Sequence, residues 1–280
     1  MLRILLIAKR PMLERITVEE SQRRGQALAG LQQSAQTHAE SLDQVRGDLA
    51  GTDLRERSID AVLPSDADDR DLVVTVGGDG TTLATSVLTA TRPVISVNSD
   101  PSRSVGHFTR CTATGFAALL AAFRAGTHRI QDQHRLEVSV DGAPAQRFLN
   151  DCLFTSRHPA LTTRYVLHAD GRHETQMSSG VWVSTAVGST GAIRSAGMRP
   201  VPQDGAALLF KVREPFQGRG SVRILEGSQV PPRGLSLTAT MPGIDCYLDG
   251  AYRRIELGYG STAVFAPAAE ALPLVTLPRD

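Results

Sequence analysis

The sequence predicts an α/β protein in two parts, an N-terminal α/β domain followed by a β-rich domain. Three observations carry this reading. The apolar, β-branched run Leu72-Val73-Val74-Thr75-Val76 leads straight into the glycine turn Gly77-Gly78-Asp79-Gly80-Thr81, then into a helical stretch and a second apolar strand, a βαβ order. Helical periodicity recurs before residue 130, over residues 28–49, 81–89 and 113–124. From about Ile130 the texture changes to short alternating runs broken by Asp-Gly and Pro-Gly pairs.

Each element follows from its residues. Met1 to Ala8 is apolar but too short to span a membrane, and Lys9-Arg10 follow it instead of preceding it, so it reads as a buried first strand and not a signal peptide. Thr17 with Glu20 makes a capping box that opens a helix. Leu28, Leu31, Ala35, His38, Leu42, Val45 and Leu49 then form an amphipathic stripe, with His38 as a packed histidine. A short strand is expected over Ile59–Leu63, and Asp66-Ala67-Asp68-Asp69 reads as a solvated turn. Pro93-Val94-Ile95-Ser96-Val97 is the next strand, and a helix over Ala113–Arg124 stops near Gly126. Leu136–Val140, Tyr165–Leu167 and Leu235–Ala239 are strands, with hairpin signals at Asp141-Gly142, Asp170-Gly171 and Asp249-Gly250. The expected domains are a Rossmann-like α/β unit over 1–129 and a β-rich, β-sandwich-like unit over 130–265. The segment 266–280 is expected to return to the first unit through the apolar run Leu272–Leu277.

Composition narrows the class. The 280 residues carry a formal charge of +1, so no global field selects nucleic acid or an anionic membrane. The three cysteines, Cys111, Cys152 and Cys246, stand singly, with no zinc spacing or disulfide framework; they read as buried hydrophobes of a reducing, cytoplasmic protein. No metal-ligand set is expected.

The glycine turn is where chemistry concentrates. A buried parallel strand delivers its carboxyl end to the ligand crevice of an open α/β sheet. The next helix offers unpaired N–H groups there. Gly77, Gly78 and Gly80 are expected to let the backbone approach phosphate and adopt positive φ. Asp79 places a negative charge where phosphate would sit. That charge is useful for accepting a proton from an attacking hydroxyl or for holding Mg²⁺. The turn is neither a dinucleotide-fold G-x-G-x-x-G nor a Walker A loop.

With this turn the sequence resembles the NAD kinase family, part of a superfamily with diacylglycerol, sphingosine and phosphofructokinases. The superfamily shares G-G-D-G, so other segments choose among its members. Asn150-Asp151 is similar to the family's dinucleotide-binding Asn-Glu pair; an amide beside a carboxylate suits sugar hydroxyls. Ser178 to Gly191 resembles the family's T-P-T-G-S-T-A-Y signature. Thr185, Gly188, Ser189 and Thr190 match, while Ala186, Val187, Gly191 and Ala192 depart from it, and Ser179 stands for the usual Asp. The segment Val97 to His107, with Asn98 and Arg103, resembles the mitochondrial-type branch, and Asp249-Gly250 matches a family turn.

The resemblance implies phosphoryl transfer from ATP, carrying Mg²⁺, to the 2′-hydroxyl of the adenosine ribose of NAD. Asp79 would be the catalytic base, and Gly77, Gly78, Gly80 and Thr81 would shape the phosphate loop. Asn98, Arg103, Asn150, Asp151, Ser179, Thr185, Gly188, Ser189 and Thr190 would bind nucleotide in an interdomain cleft. It implies small-molecule partners only, with no nucleic acid or membrane, and a homodimer or homotetramer. A lipid kinase of the same superfamily and a non-catalytic nucleotide-binding relative are the alternatives.

Overall fold

The computed structural model describes residues 1–16, 25–89, 91–218, 222–251 and 253–278. The Thr17–Glu20 capping box lies outside them. The chain divides into two units, Met1–Asp132 with Leu272–Asp280, and Gln133–Ala271. The boundaries read from sequence texture were 129/130 and 265/266.

The first unit is built on a twisted sheet. Its strands are β1 (Arg3–Ala8), β2 (Asp53–Ser58), β3 (Leu72–Gly77), β4 (Val94–Asn98), β5 (Cys111–Thr112), β6 (Arg129–Gln133) and β19 (Leu272–Thr276). Their order is β2-β1-β3-β4-β19-β6, with β5 paired to β4 off this path. The pairs β1–β2, β1–β3, β3–β4 and β4–β19 are parallel. Strands β1, β3 and β4 are buried along both faces, which is why they read as unbroken apolar runs. Helices α1 (Gly25–Asp48) and α3 (Ala113–Ala125) cover one face, with Leu42, Val45, Phe116 and Leu120 set against Ile4, Val74 and Val97. The expected helical stripe is therefore one continuous helix, and His38 is buried in it.

Strand order reverses between β1 and β3, because the chain runs outward to β2 and then back to β1's other side. Ligand crevices of open α/β sheets form at the carboxyl ends of strands beside such a reversal. The glycine turn stands at that end of β3, and the Lys9 amide bonds the Val76 carbonyl at 3.0 Å.

One expected strand is displaced. Residues 59–63 form a turn, and the strand is Asp53–Ser58. This edge strand has no apolar alternation to reveal it, because its side chains are spent on ion pairs: Arg55 with Asp69, Glu56 with Arg46, and Arg57 with Asp66. The same pairs occupy two carboxylates of the acidic turn.

The second unit is a sandwich of two antiparallel sheets. The first contains β7 (Leu136–Val140), β8 (Gln146–Phe148), β10 (Thr163–Ala169), β11 (Arg172–Ser178), β15 (Leu235–Ala239) and β18 (Thr262–Pro267), ordered β11-β10-β15-β18-β7-β8. The second contains β9 (Asp151–Ser156), β12 (Val181–Ser184), β13 (Leu208–Val212), β14 (Glu226–Gln229), β16 (Ile244–Leu248) and β17 (Arg253–Leu257), ordered β14-β13-β12-β9-β16-β17. Inward side chains of both sheets form one core. Phe154 of one sheet meets Tyr165 of the other edge to face, with ring centroids 5.6 Å apart at 75°. The Tyr165 hydroxyl is within 2.8 Å of Ser178 Oγ and donates to Gln176 Oε1 at 3.0 Å, so the ring's polar end is satisfied inside the core. Asp141, Asp170 and their following glycines have positive φ, the conformation of tight hairpin turns. Among the described residues, no helix is long and apolar enough to cross a membrane.

Phe154 joins the two sheets and is fully buried, so Phe154→Ala should cost about 3–5 kcal/mol. Chemical denaturation measures this; a loss below about 1 kcal/mol would show that the ring does not hold the sandwich together.

Candidate active site

In the first unit, the expected residues gather around the carboxyl end of β3. Helix α2 (Asp79–Ser86) starts directly after Gly78. Its first intrahelical bonds run from the Thr81 and Thr82 amides to the Gly78 carbonyl, which leaves the amides of Asp79 and Gly80 outside the ladder. An acidic residue in a first helical turn also complements the helix dipole. Thr82 Oγ1 and Thr75 Oγ1 both meet Ser96 Oγ, pinning the helix to β3 and β4.

Gly77, Gly78 and Gly80 do not have positive φ, contrary to expectation; Gly78 is extended at φ −112°. Space is the requirement instead. A Cβ at Gly77 would lie 2.1 Å from Thr81 Oγ1, and one at Gly78 would lie 2.8 Å from Ser104 Oγ. Gly80 faces open space.

Asp79 does not cap its own helix. Its carboxylate reaches the loop after β4 and accepts two backbone hydrogen bonds there, from the His107 amide at Oδ2 (3.0 Å) and the Phe108 amide at Oδ1 (2.8 Å). A carboxylate has about four acceptor positions, so each oxygen keeps a free one. Asn98 shapes the same loop, accepting from the Asp100 amide at 3.1 Å and donating to the Ser104 carbonyl at 3.1 Å. Arg103 behaves differently. Its guanidinium lies over Gly30 of α1, with Nε 4.0 Å from the Asp100 carboxylate. Thr81 is buried against Gly77.

In the second unit, Asn150 and Asp151 sit at the start of β9, and the turn after β12 folds onto them. Thr185 N (3.1 Å) and Ser184 Oγ (3.0 Å) both donate to the Asn150 carbonyl. Thr185 Oγ1 donates to the Leu149 carbonyl at 2.7 Å and accepts from the Gly188 amide at 3.0 Å. A Cβ at Gly188 would stand 2.0 Å from the Asn150 carbonyl oxygen, so only glycine fits there. Residues 187–190 form a 3-10 turn, and a short helical turn follows at Ala192–Ser195. Ser189 is fully buried with its hydroxyl bonded to the Val201 backbone, while Thr190 Oγ1 donates to the Val187 carbonyl at 3.5 Å.

Ser179 is not part of this group. It precedes β12, whereas Thr185 follows it, and Ser184 pairs with Asp151 while Val181 pairs with Phe154. The four residues of β12 lie between them, at about 3.3 Å of rise each.

Asp249 was visible in the sequence only as a turn residue, and the structure gives it a larger part. Its buried carboxylate accepts from the amides of Leu149, Asn150 and Asp151 at 2.9, 2.7 and 3.3 Å. In return the Asp249 amide donates to the Asp151 carbonyl at 2.9 Å. The Asp249-Gly250 pair was the available sequence signal, and both residues have the positive φ of a tight turn. Burial, and secondarily the Asp249 charge, push the Asp151 carboxyl up to about 7. Burial also raises Asp249, although its backbone donors oppose the shift. Asn150 Nδ2 donates to Asp151 Oδ2 at 3.2 Å. An amide and a carboxyl able to donate or accept near neutrality thus lie side by side, an arrangement suited to sugar hydroxyls.

Comparison with known proteins adds kinship to this geometry. The family model for the ATP-NAD kinase N-terminal domain matches residues 1–127. A probable NADH kinase of Oryza sativa subsp. japonica is 29% identical over 257 residues, covering 81% of this chain and 79% of that protein. An NAD kinase of Methanopyrus kandleri is 31% identical over 130 residues, 45% of this chain and 46% of its own length. Among solved structures, an NAD kinase from Archaeoglobus fulgidus in complex with ATP shares the fold at TM-score 0.70 and 18% identity, over 99% of this chain and 94% of that one. Yeast NADH kinase complexed with NADH does so at TM-score 0.70 and 16% identity, over 99% and 84%.

Asp151 should imprint itself on stability. Folded, it keeps its proton until about pH 7, whereas an unfolded carboxyl loses its proton near pH 4. The folded state therefore binds more protons in that window, and this contribution is full below pH 4 and lost as pH rises through 7. Relative to Asp151→Asn, the parent's unfolding free energy should fall by on the order of a few kcal/mol between pH 4 and 7. Parallel pH profiles in denaturant titrations would contradict the raised carboxyl.

With the G-G-D-G turn at the switch point of its sheet, residues 1–127 match the ATP-NAD kinase N-terminal domain, and the chain is similar to NAD and NADH kinases.

Proposed function

We propose that the protein transfers the γ-phosphoryl group of ATP to the 2′-hydroxyl of the adenosine ribose of NAD, making NADP. The observation that carries this is the Asp79 carboxylate, fixed by two loop amides at the mouth of a phosphate-binding turn with an acceptor position free on each oxygen. The ribose hydroxyl donates its hydrogen bond to Asp79, attacks the γ-phosphorus, and passes its proton to the carboxylate as ADP departs. Such a transfer depends on positioning and charge neutralisation more than on covalent chemistry. The amides of Asp79 and Gly80 supply donors for phosphate oxygens. Mg²⁺ is assigned to the bound ATP, as part of the substrate. Among the described residues, no three His, Cys, Asp or Glu side chains gather to hold a metal.

Asn150 and Asp151 are proposed to hold the dinucleotide, with Thr185, Gly188 and Thr190 shaping the backbone around them. Arg103 and Ser179 have weaker support, since one guanidinium rests on α1 and the other residue stands at the far end of β12. Named NADH kinases among the relatives make NADH an acceptor to test beside NAD. A cytoplasmic setting is part of the proposal, supported by three cysteines that are all unpaired. So is a homodimeric or homotetrameric assembly, which rests on the family resemblance.

Purified protein should form NADP or NADPH from ATP and the matching dinucleotide, and should not phosphorylate diacylglycerol or sphingosine. Phosphorylated lipid without NADP, or NAD binding without turnover, would overturn the assignment. Asp79→Asn should lower kcat by about 10²–10⁴ with little change in KM, the usual cost of losing a general base. An unchanged kcat in initial-rate assays would remove Asp79 from the mechanism.

A further inference from the structure

We infer that Arg110 is a positioning residue for the reacting carboxylate, acting through the peptide bond between His107 and Phe108. The inference rests on the reading of Asp79 as the proton acceptor.

Arg110 Nη1 donates to the His107 carbonyl at 2.9 Å and to the Thr109 carbonyl at 3.1 Å. The His107 carbonyl and the Phe108 amide belong to one planar peptide unit. The amide end of that unit donates to Asp79 Oδ1 at 2.8 Å. Guanidinium and carboxylate therefore grip opposite ends of the same peptide, and a charge on its oxygen polarises the N–H that Asp79 receives. The preceding amide, that of His107, holds the second carboxylate oxygen. Orienting this short stretch orients both oxygens.

Arg110 is itself anchored. Its amide donates to the Ser96 carbonyl of β4 at 2.8 Å, so it hangs from a buried strand. It is no ordinary surface ion pair. Among the described residues, its Nε is buried without a partner. Burial disfavours its charge, and the Asp79 carboxylate is the group that opposes this. Such a desolvated cation needs a reason to be kept. The loop's path adds a second constraint. Gly106 has φ +76°, and a Cβ there would fall 2.5 Å from Thr109 Oγ1 and 2.9 Å from Asn98 Nδ2. The peptide that Arg110 holds is thus delivered to Asp79 by a turn that only glycine can make.

A double-mutant cycle with Asp79 tests the inference. R110M should lower kcat by about 10- to 100-fold and leave both KM values within about two-fold, since a misplaced catalytic group costs rate more than binding. R110K, which keeps the charge and one donor toward the carbonyls, should fall between. In the D79N background, R110M should change kcat by less than about two-fold, because the group it positions has gone. Thermal melts identify any variant that unfolds, and R110K then replaces R110M in the same cycle. Equal losses in both backgrounds would show a merely structural role, and an undiminished kcat in R110M would also overturn the inference. Should D79N alone leave kcat unchanged, the reading of Asp79 fails first and takes this inference with it.

Discussion

The grip of two backbone amides on the Asp79 carboxylate is the contact on which the proposed chemistry depends. A carboxylate at the start of a phosphate-facing helix is easily wasted, either capping its own helix or turning to solvent. Here the loop after β4 prevents both by offering the His107 and Phe108 amides to separate oxygens. The sheet explains why that loop is within reach. Strands β3 and β4 are parallel neighbours with Gly77 paired to Asn98, so both chains leave the sheet at the same edge. The Ser99 amide returns to the Gly77 carbonyl at 2.9 Å, and the loop begins folded back over the turn. The glycines contribute room for this crowding.

The second unit solves a related problem in the same way. Asp249 takes three consecutive amides, at Leu149, Asn150 and Asp151, and so fixes a bend that carries the proposed dinucleotide-binding pair. There the carboxylate organises the backbone; in the first unit the backbone organises the carboxylate. Burial decides the difference in chemistry. The side chains of Asp249 and Asp151 are both nearly inaccessible, and the charge of one raises the other. Asp151 is therefore poised near neutrality, able to donate or accept.

The sequence made much of this legible where side chains carry the signal. Strands β1, β3 and β4 announce themselves because both of their faces are buried, and Asp79 stands out as a charge where an anion is expected. Strand β2 was displaced because its charged side chains pair with their neighbours and leave no apolar rhythm. The partners of Asp79 were hidden for a deeper reason: a backbone amide has no residue type to read. Arg110 was hidden with them, because it acts on carbonyls. Ser179 was grouped with Thr185 through the family signature they share, yet a strand run end to end keeps them apart. Asp249 showed only its turn, since its partners lie about a hundred residues earlier. Local pattern reveals elements and isolated charges, whereas pairings between backbone and distant side chain emerge only from the fold.

The decisive measurement is a crystal structure with NAD bound. An Asp79 oxygen should lie within about 3 Å of the adenosine ribose 2′-hydroxyl, the reach a general base requires, with the His107 and Phe108 amides still on the carboxylate. A hydroxyl lying well beyond that reach, or a carboxylate released from both amides, would contradict it.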